Sequence, residues 1–322
     1  MVMKKVNITM TDRIQAVMLG HAIGDALGVP VEFASRAELD ESPVTDMKGF
    51  GTYPVPAGAW SDDTSMSLCA LSALADGEVN YDMVMLNFGK WYYNDEFTPT
   101  DMMFDVGNTC SMAIENYMVY KKPYQKCGLT AETANGNGAL MRINPFVLYT
   151  EYAECYGNWL DIIHTASALT HAHKRSQIGC GIYAFILHEL LNNPVKESVI
   201  SGLAKAKEHY TEETELEYYY RILSLDFAKT DRKDIKSSGY VVDTLEAAVW
   251  CLLTTDSYEE CVLKAVNLGD DTDTVAAVAG GLAGALYGLD AIPQKWLDVL
   301  LKKEYIEKLC ENASDNWMTN TK

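Results

Sequence analysis

Two short stretches concentrate the oxygen donors of this chain. Gly269-Asp-Asp-Thr-Asp-Thr274 places three carboxylates and two hydroxyls in six residues, and the following run from Val275 to Gly288 is almost entirely apolar or small. Asp270, Asp271 and Asp273 would repel one another beside such packing unless positive charge sat among them. A helix N-terminus supplies about half a charge. A divalent cation supplies far more, and Asp and Thr oxygens are the hard ligands that magnesium and manganese prefer. The same residues also read as a richly endowed helix cap. The second stretch weighs toward metal: Ser61, Asp62 and Asp63 stand directly before helically spaced Met66, Leu68, Leu71, Leu74 and Ala75. Two acidic helix starts some 200 residues apart can converge and share cations.

Other polar residues are candidates to join them. Glu32 follows Gly20-His-Ala-Ile-Gly-Asp-Ala-Leu-Gly28, where small residues permit close backbone approach; it reads as a ligand-facing or a surface carboxylate. Asp105 precedes a small, helix-compatible run and reads as a cap or, beside cations, as a general acid or base. In Thr133-Ala-Asn-Gly-Asn-Gly138 the amides freed by Gly136 and Gly138 suit an anion-binding nest, and the side chains of Asn135 and Asn137 suit sugar hydroxyls; a plain turn is the other reading. His171 and His173 lack the third partner that a zinc site needs, so a polar contact or a helix terminus explains them better. Tyr240, on a glycine turn ahead of an amphipathic helix, is either core or a stacking platform.

The elements that must position these residues are helical. Apolar residues recur with helical period, and no alternating strands with hairpin turns are evident, so an all-α, single-domain fold is expected. A first helix capped at Thr11-Asp12 should end near Gly28-Val-Pro30, and residues 34–59 read as a long loop. Further helices are expected at 81–94, 101–120, 158–171, 175–192, 196–209, 212–228, 241–254, 257–267 and 293–311, with 1–10 and 312–322 peripheral. The 322 residues carry 48% hydrophobic and 22% charged side chains, an ordinary globular balance. A net charge of −19 opposes nucleic acid and anionic membranes as partners. Eight scattered cysteines without zinc spacing suit reduced thiols, mostly core fillers, in a cytoplasmic protein; no secretory signal is visible. The longest apolar run, Val275 to Leu289, is too short for membrane insertion.

In chain order, GDALGVPVEF, WSDDTSM, DVGNT, NGNGALMR, THAHKRS, SGYVVDTLEAAVW and GDDTDTVAAVAGGLAGALYG together resemble the ADP-ribosylglycohydrolase family over most of the chain. The resemblance implies an all-α orthogonal helix bundle around two divalent cations, magnesium or manganese, in a cleft that holds ADP-ribose. By position, Ser61, Asp62, Asp63, Asp271, Asp273 and Thr274 resemble the metal ligands, whereas Asp270 matches none. Glu32 resembles the acidic residue beside the metal pair and Asp105 the acidic residue assigned to catalysis, either of them the catalytic proton carrier; residues 135–138 resemble the diphosphate and ribose loop, His171 a histidine of the pocket and Tyr240 the ring near adenine. Ser61 replaces a threonine common in the family and keeps the hydroxyl, while His173-Lys174 departs from the family pattern. The implied reaction releases ADP-ribose from a modified protein, at arginine first. O-linked ADP-ribose and a non-catalytic ADP-ribose-binding module are the alternatives.

Overall fold

The computed structural model describes residues 8–153 and 158–319, so Cys155 lies outside the described residues. In order come α1 (Met10–Gly28), α2 (Arg36–Glu41), α3 (Asp62–Leu74), α4 (Tyr81–Asn94), α5 (Asn108–Met118), α6 (Asn144–Tyr152) and α7 (Trp159–Ala168). They are followed by α8 (Lys174–Asn192), α9 (Lys196–His209), α10 (Val241–Leu253), α11 (Tyr258–Val266), α12 (Thr272–Tyr287), α13 (Gln294–Leu297) and α14 (Lys303–Thr319). The chain is 65% helical and forms a single helical domain, as expected. Isolated bridges at Leu129–His171 and Gly136–Tyr240 are the β-type pairings among the described residues.

The fold is organised by α1 and α12, which lie antiparallel. Gly20, Gly24 and Gly28 recur every four residues and therefore share one face of α1. A Cβ on Gly24 would stand 2.1 Å from the Ala276 carbonyl oxygen, and one on Gly28 would stand 2.3 Å from Asp273 Cα. Gly284 on α12 meets the Ala16 carbonyl oxygen at 2.0 Å in the same way. Backbone thus rests on backbone along the pair, which drives the acidic start of α12 against the end of α1. There Thr272 Oγ1 donates to the Gly28 carbonyl at 2.8 Å. Gly24→Ala is expected to cost about 1–3 kcal/mol through overpacking and to lower the melting temperature by several degrees, read by circular dichroism. An unchanged melt would mean the two backbones do not touch.

By length and composition the Met10–Val31 segment could cross a bilayer, yet 83% of its apolar window is buried inside the protein. It is the core helix of this fold. The seven described cysteines are free and buried.

Several boundaries differ from the sequence reading, each for a local reason. α1 starts a turn earlier, because Thr9 and Asp12 form a reciprocal capping box. Within 34–59, Ser35 and Glu38 form another and start α2. The stretch 101–120 is helical only from Asn108, since Asp101 and Asp105 take left-handed φ of 56° and 54°. Residues 212–228 form short 3-10 turns rather than an α-helix, pinned where Tyr219 donates to the Arg175 carbonyl at 2.8 Å. The expected 293–311 helix breaks at Lys302, with φ of 52°, where Leu301 N donates to the Gly58 carbonyl at 3.0 Å. Its second part, α14, runs through most of the 312–322 segment expected at the periphery and buries Ala313 and Trp317 completely.

Candidate active site

The two acidic helix starts do meet. Thr274 Oγ1, at the beginning of α12, donates to Asp63 Oδ2 of α3 at 3.3 Å, and Ser61 Oγ donates to the same oxygen at 3.1 Å. What aligns α3 is Asp25, a fully buried carboxylate on α1. It accepts from Ser61 N at 2.9 Å, Thr64 N at 3.0 Å and Thr64 Oγ1 at 2.6 Å, and so holds the α3 N-terminus in place. Burial, opposed by those bonds, raises its pKa to about 6.

Around this junction lies a cleft of about 470 Å³. Glu32, Asp62, Asp105, Asp271 and Thr274 line it, with Gly136, Asn137, Gly138 and His171 on another wall. Ser61, Asp63 and Asp273 are each only 1% exposed and sit behind the lining. Carboxylate oxygens of Glu32, Asp105 and Asp273 all lie within 4.8 Å of one another. The two candidate catalytic acids therefore share their space with a candidate metal ligand. Asp270 is exposed, in keeping with its omission from the ligand set.

The electrostatics of this buried acidic cluster would suit a cation. No lysine or arginine is among the lining residues. Burial first, and neighbouring carboxylates second, push the pKa values of Asp62, Asp63 and Asp273 well above the ordinary range. Glu32 is pushed to about 8 by burial and then by the charge of Asp105, and burial and Asp271 raise Asp105 in turn. Glu32 Oε2, Asp63 Oδ1, Asp271 Oδ1 and Asp273 Oδ2 are buried without a hydrogen-bond partner. Orphaned buried carboxylate oxygens are costly. An all-oxygen donor set of this charge fits hard divalent cations.

The other sequence candidates divide between cleft and scaffold. Asn137 lines the cleft, but its Nδ2 donates to Asp271 Oδ2 at 2.8 Å and to Thr244 Oγ1 at 3.0 Å, which orients Asp271. Asn135 faces the scaffold: its Nδ2 meets the Glu132 carbonyl at 2.9 Å, and its Oδ1 accepts from Ser176 Oγ at 2.8 Å. Neither Gly136 nor Gly138 has positive φ, so of the two readings of this loop its backbone agrees with the plain turn. Gly138 is needed instead for room, since a Cβ there would stand 2.7 Å from Cys110 Sγ and 2.9 Å from His171 Cε1. His171 is 2% exposed, and burial, then Arg142, lowers its pKa to about 3, so it is neutral. Its Nδ1 lies 2.8 Å from Thr170 Oγ1, which accepts from Arg142 Nη2 at 2.7 Å. His173 caps α8, accepting from Arg175 N. Tyr240 is tied to the loop by its bridge to Gly136, but its hydroxyl accepts from Arg175 Nη1 at 3.2 Å, and Gly239 is the residue of that turn that lines the cleft.

Sequence reading missed two contributors. Asp25 had a signal, a lone carboxylate within the apolar run of α1. Tyr53 had none, lying in a stretch rich in glycine and proline. Its ring packs on Phe104 at 5.0 Å, and burial, then the neighbouring charges of Asp105 and Glu32, raise the pKa of its hydroxyl.

Comparison with known proteins gives the family of the chain. The sequence profile of the family described as ADP-ribosylglycohydrolase matches residues 7–321. This chain belongs to that family. It is 35% identical over 304 residues to an ADP-ribosylarginine hydrolase Tri1 of Serratia proteamaculans (strain 568), covering 93% of this chain and 78% of that one. To the ADP-ribosyl-[dinitrogen reductase] glycohydrolase of Rhodospirillum rubrum it is 33% identical over 298 residues, covering 90% of each. A solved ADP-ribosylglycohydrolase-related protein complex superposes with a TM-score of 0.79 at 32% identity, covering 96% of this chain and 99% of that one. The cleft between α1, α3 and α12 thus lies in a chain of the ADP-ribosylglycohydrolase family.

Proposed function

We propose that the protein hydrolyses the N-glycosidic bond between ADP-ribose and an arginine side chain of a modified protein, using two divalent cations, magnesium or manganese. The observation that carries this reading is the junction of Thr274 with Asp63 among four orphaned carboxylate oxygens. Relatives at 33% and 35% identity that are named for ADP-ribosyl dinitrogen reductase and ADP-ribosylarginine support the linkage. Ser61, Asp62, Asp63, Asp271, Asp273 and Thr274 would hold the cations. When bound, such ions supply Lewis acidity and make water a usable nucleophile near neutral pH.

The chain's own groups account for the remainder. Hydrolysis adds water oxygen to the ribose carbon, breaks the carbon–nitrogen bond and delivers a proton to the departing guanidine. Glu32 and Asp105, whose carboxylate oxygens lie within 4.8 Å of one another at the cleft wall, are placed to carry that proton. His171, neutral and buried, offers a hydrogen bond to the ligand, and Gly136 and Gly138 give it room. The test is release of ADP-ribose from arginine-linked, serine-linked and O-acetyl substrates with magnesium or manganese present. Turnover is expected on the arginine linkage. Preference for an O-linked substrate would transfer the reading to that linkage, and binding of ADP-ribose without any turnover would overturn it.

A further inference from the structure

Phe33 is the one residue of the cleft wall whose exposure is out of keeping with its chemistry. Phe33 is 69% exposed, yet it lines the cleft beside Glu32. Its φ is 67°, in the left-handed region that bulky side chains rarely occupy. Two backbone bonds hold it there. Phe33 N donates to the Asp270 carbonyl at 2.7 Å, and Asp270 N donates to the Ala34 carbonyl at 2.8 Å. Asp270 is itself left-handed, with φ of 61°. A third tie, Thr52 Oγ1 to the Glu32 carbonyl at 2.8 Å, fixes the residue before it. An unusual backbone conformation held by its surroundings is a recurrent property of functional sites. Here it presents an aromatic ring to solvent at the wall that holds Glu32 and Asp105.

We infer that Phe33 is the platform on which the cationic guanidinium of the modified arginine rests, through a cation–π contact that selects arginine-linked over uncharged linkages. The inference rests on the arginine reading above and deepens it. The face of an aromatic ring carries negative electrostatic potential and attracts guanidinium, most strongly when the pair is desolvated. A neutral serine linkage would gain nothing from it. The surrounding carboxylates attract the same cation at longer range but lack the ring's shape. The ADP-ribose half of the substrate carries no cation and does not depend on this face.

The experiment replaces Phe33 with mono-, di- and trifluorophenylalanine, which withdraw charge from the ring face in steps at nearly constant shape, and adds Phe33→Leu. The magnesium-loaded protein is assayed for kcat/KM on ADP-ribosyl-arginine, and its affinity for ADP-ribose is measured by calorimetry. The expected result is a stepwise fall totalling roughly 3- to 10-fold along the fluorine series, with Phe33→Leu at its low end and ADP-ribose affinity held within about twofold. A merely structural ring would not follow the fluorine count. A flat series, or ADP-ribose affinity falling in parallel, would overturn the inference while leaving the arginine reading intact. Failure of the unsubstituted protein to release ADP-ribose from arginine would overturn both.

Discussion

Asp62→Asn and Asp273→Asn are each expected to reduce release of ADP-ribose from ADP-ribosyl-arginine by at least about a thousandfold, with the fold retained. The two residues belong to different ends of the chain but to one junction: α3 brings Asp62, and α12 brings Asp273. Each is at most 5% exposed, and each is raised in pKa by burial and by carboxylate neighbours. Exchanging either for an amide removes an anionic oxygen, the proposed cation ligand, while keeping the shape, so loss of activity would trace to charge rather than packing. Lewis-acid assistance is worth several kcal/mol, and each 1.4 kcal/mol is about tenfold in rate. Steady-state release of ADP-ribose, with circular dichroism as the control for folding, checks it. Near-normal turnover by either variant would remove the acidic junction from the chemistry.

The second large effect concerns stability. Folding raises the pKa values of Glu32, Asp62, Asp63 and Asp273 above those of the unfolded chain, so without metal the folded state binds more protons than the unfolded state. Stability rises with pH only where the unfolded state binds more protons; here the sign is reversed. This contribution is therefore complete below the unfolded carboxyl values near 4 and is lost as pH rises, through about 8 for Glu32. Chelated protein should melt at progressively lower temperature from pH 5 to pH 8. Divalent cations should reverse the trend, because they bind the deprotonated cluster, and a site at a hundredfold its dissociation constant adds about 2.7 kcal/mol. Differential scanning fluorimetry with and without chelator should show a gap that widens toward pH 8. Superimposed curves at every pH would contradict a metal site at this cluster.

Much of the fold was legible because strong helical period survives in a single sequence. The Tyr81–Asn94 and Lys196–His209 helices fall where the apolar spacing put them. Failures came where a local signal competed with period. No helix was expected over Asn144–Tyr152, where Pro145 stands in the first turn of α6 and its missing N–H costs nothing. The charged 212–228 region looks helical, but Tyr219 and the Arg175–Glu215 ion pair dock it on α8 as tight turns. Within the site, the acidic starts at Ser61–Asp63 and Asp271–Thr274 were legible because clustered charge before an apolar helix is costly without a partner. The scaffold duties of Asn135 and the Arg175 bond of Tyr240 were not, because side-chain direction depends on tertiary partners hundreds of atoms away in the chain. Nor could spacing foresee that Glu32 and Asp105 would share one small volume with Asp273.

All of this depends on divalent ions bridging donors from the two ends of the polypeptide, and anomalous diffraction from manganese-soaked crystals addresses that directly. Two manganese peaks are expected at about 2.0–2.4 Å from oxygens of the Ser61–Asp63 and Asp271–Thr274 segments. A fully occupied map with manganese elsewhere, or with none touching Asp62, Asp63, Asp271 or Asp273, would contradict the account.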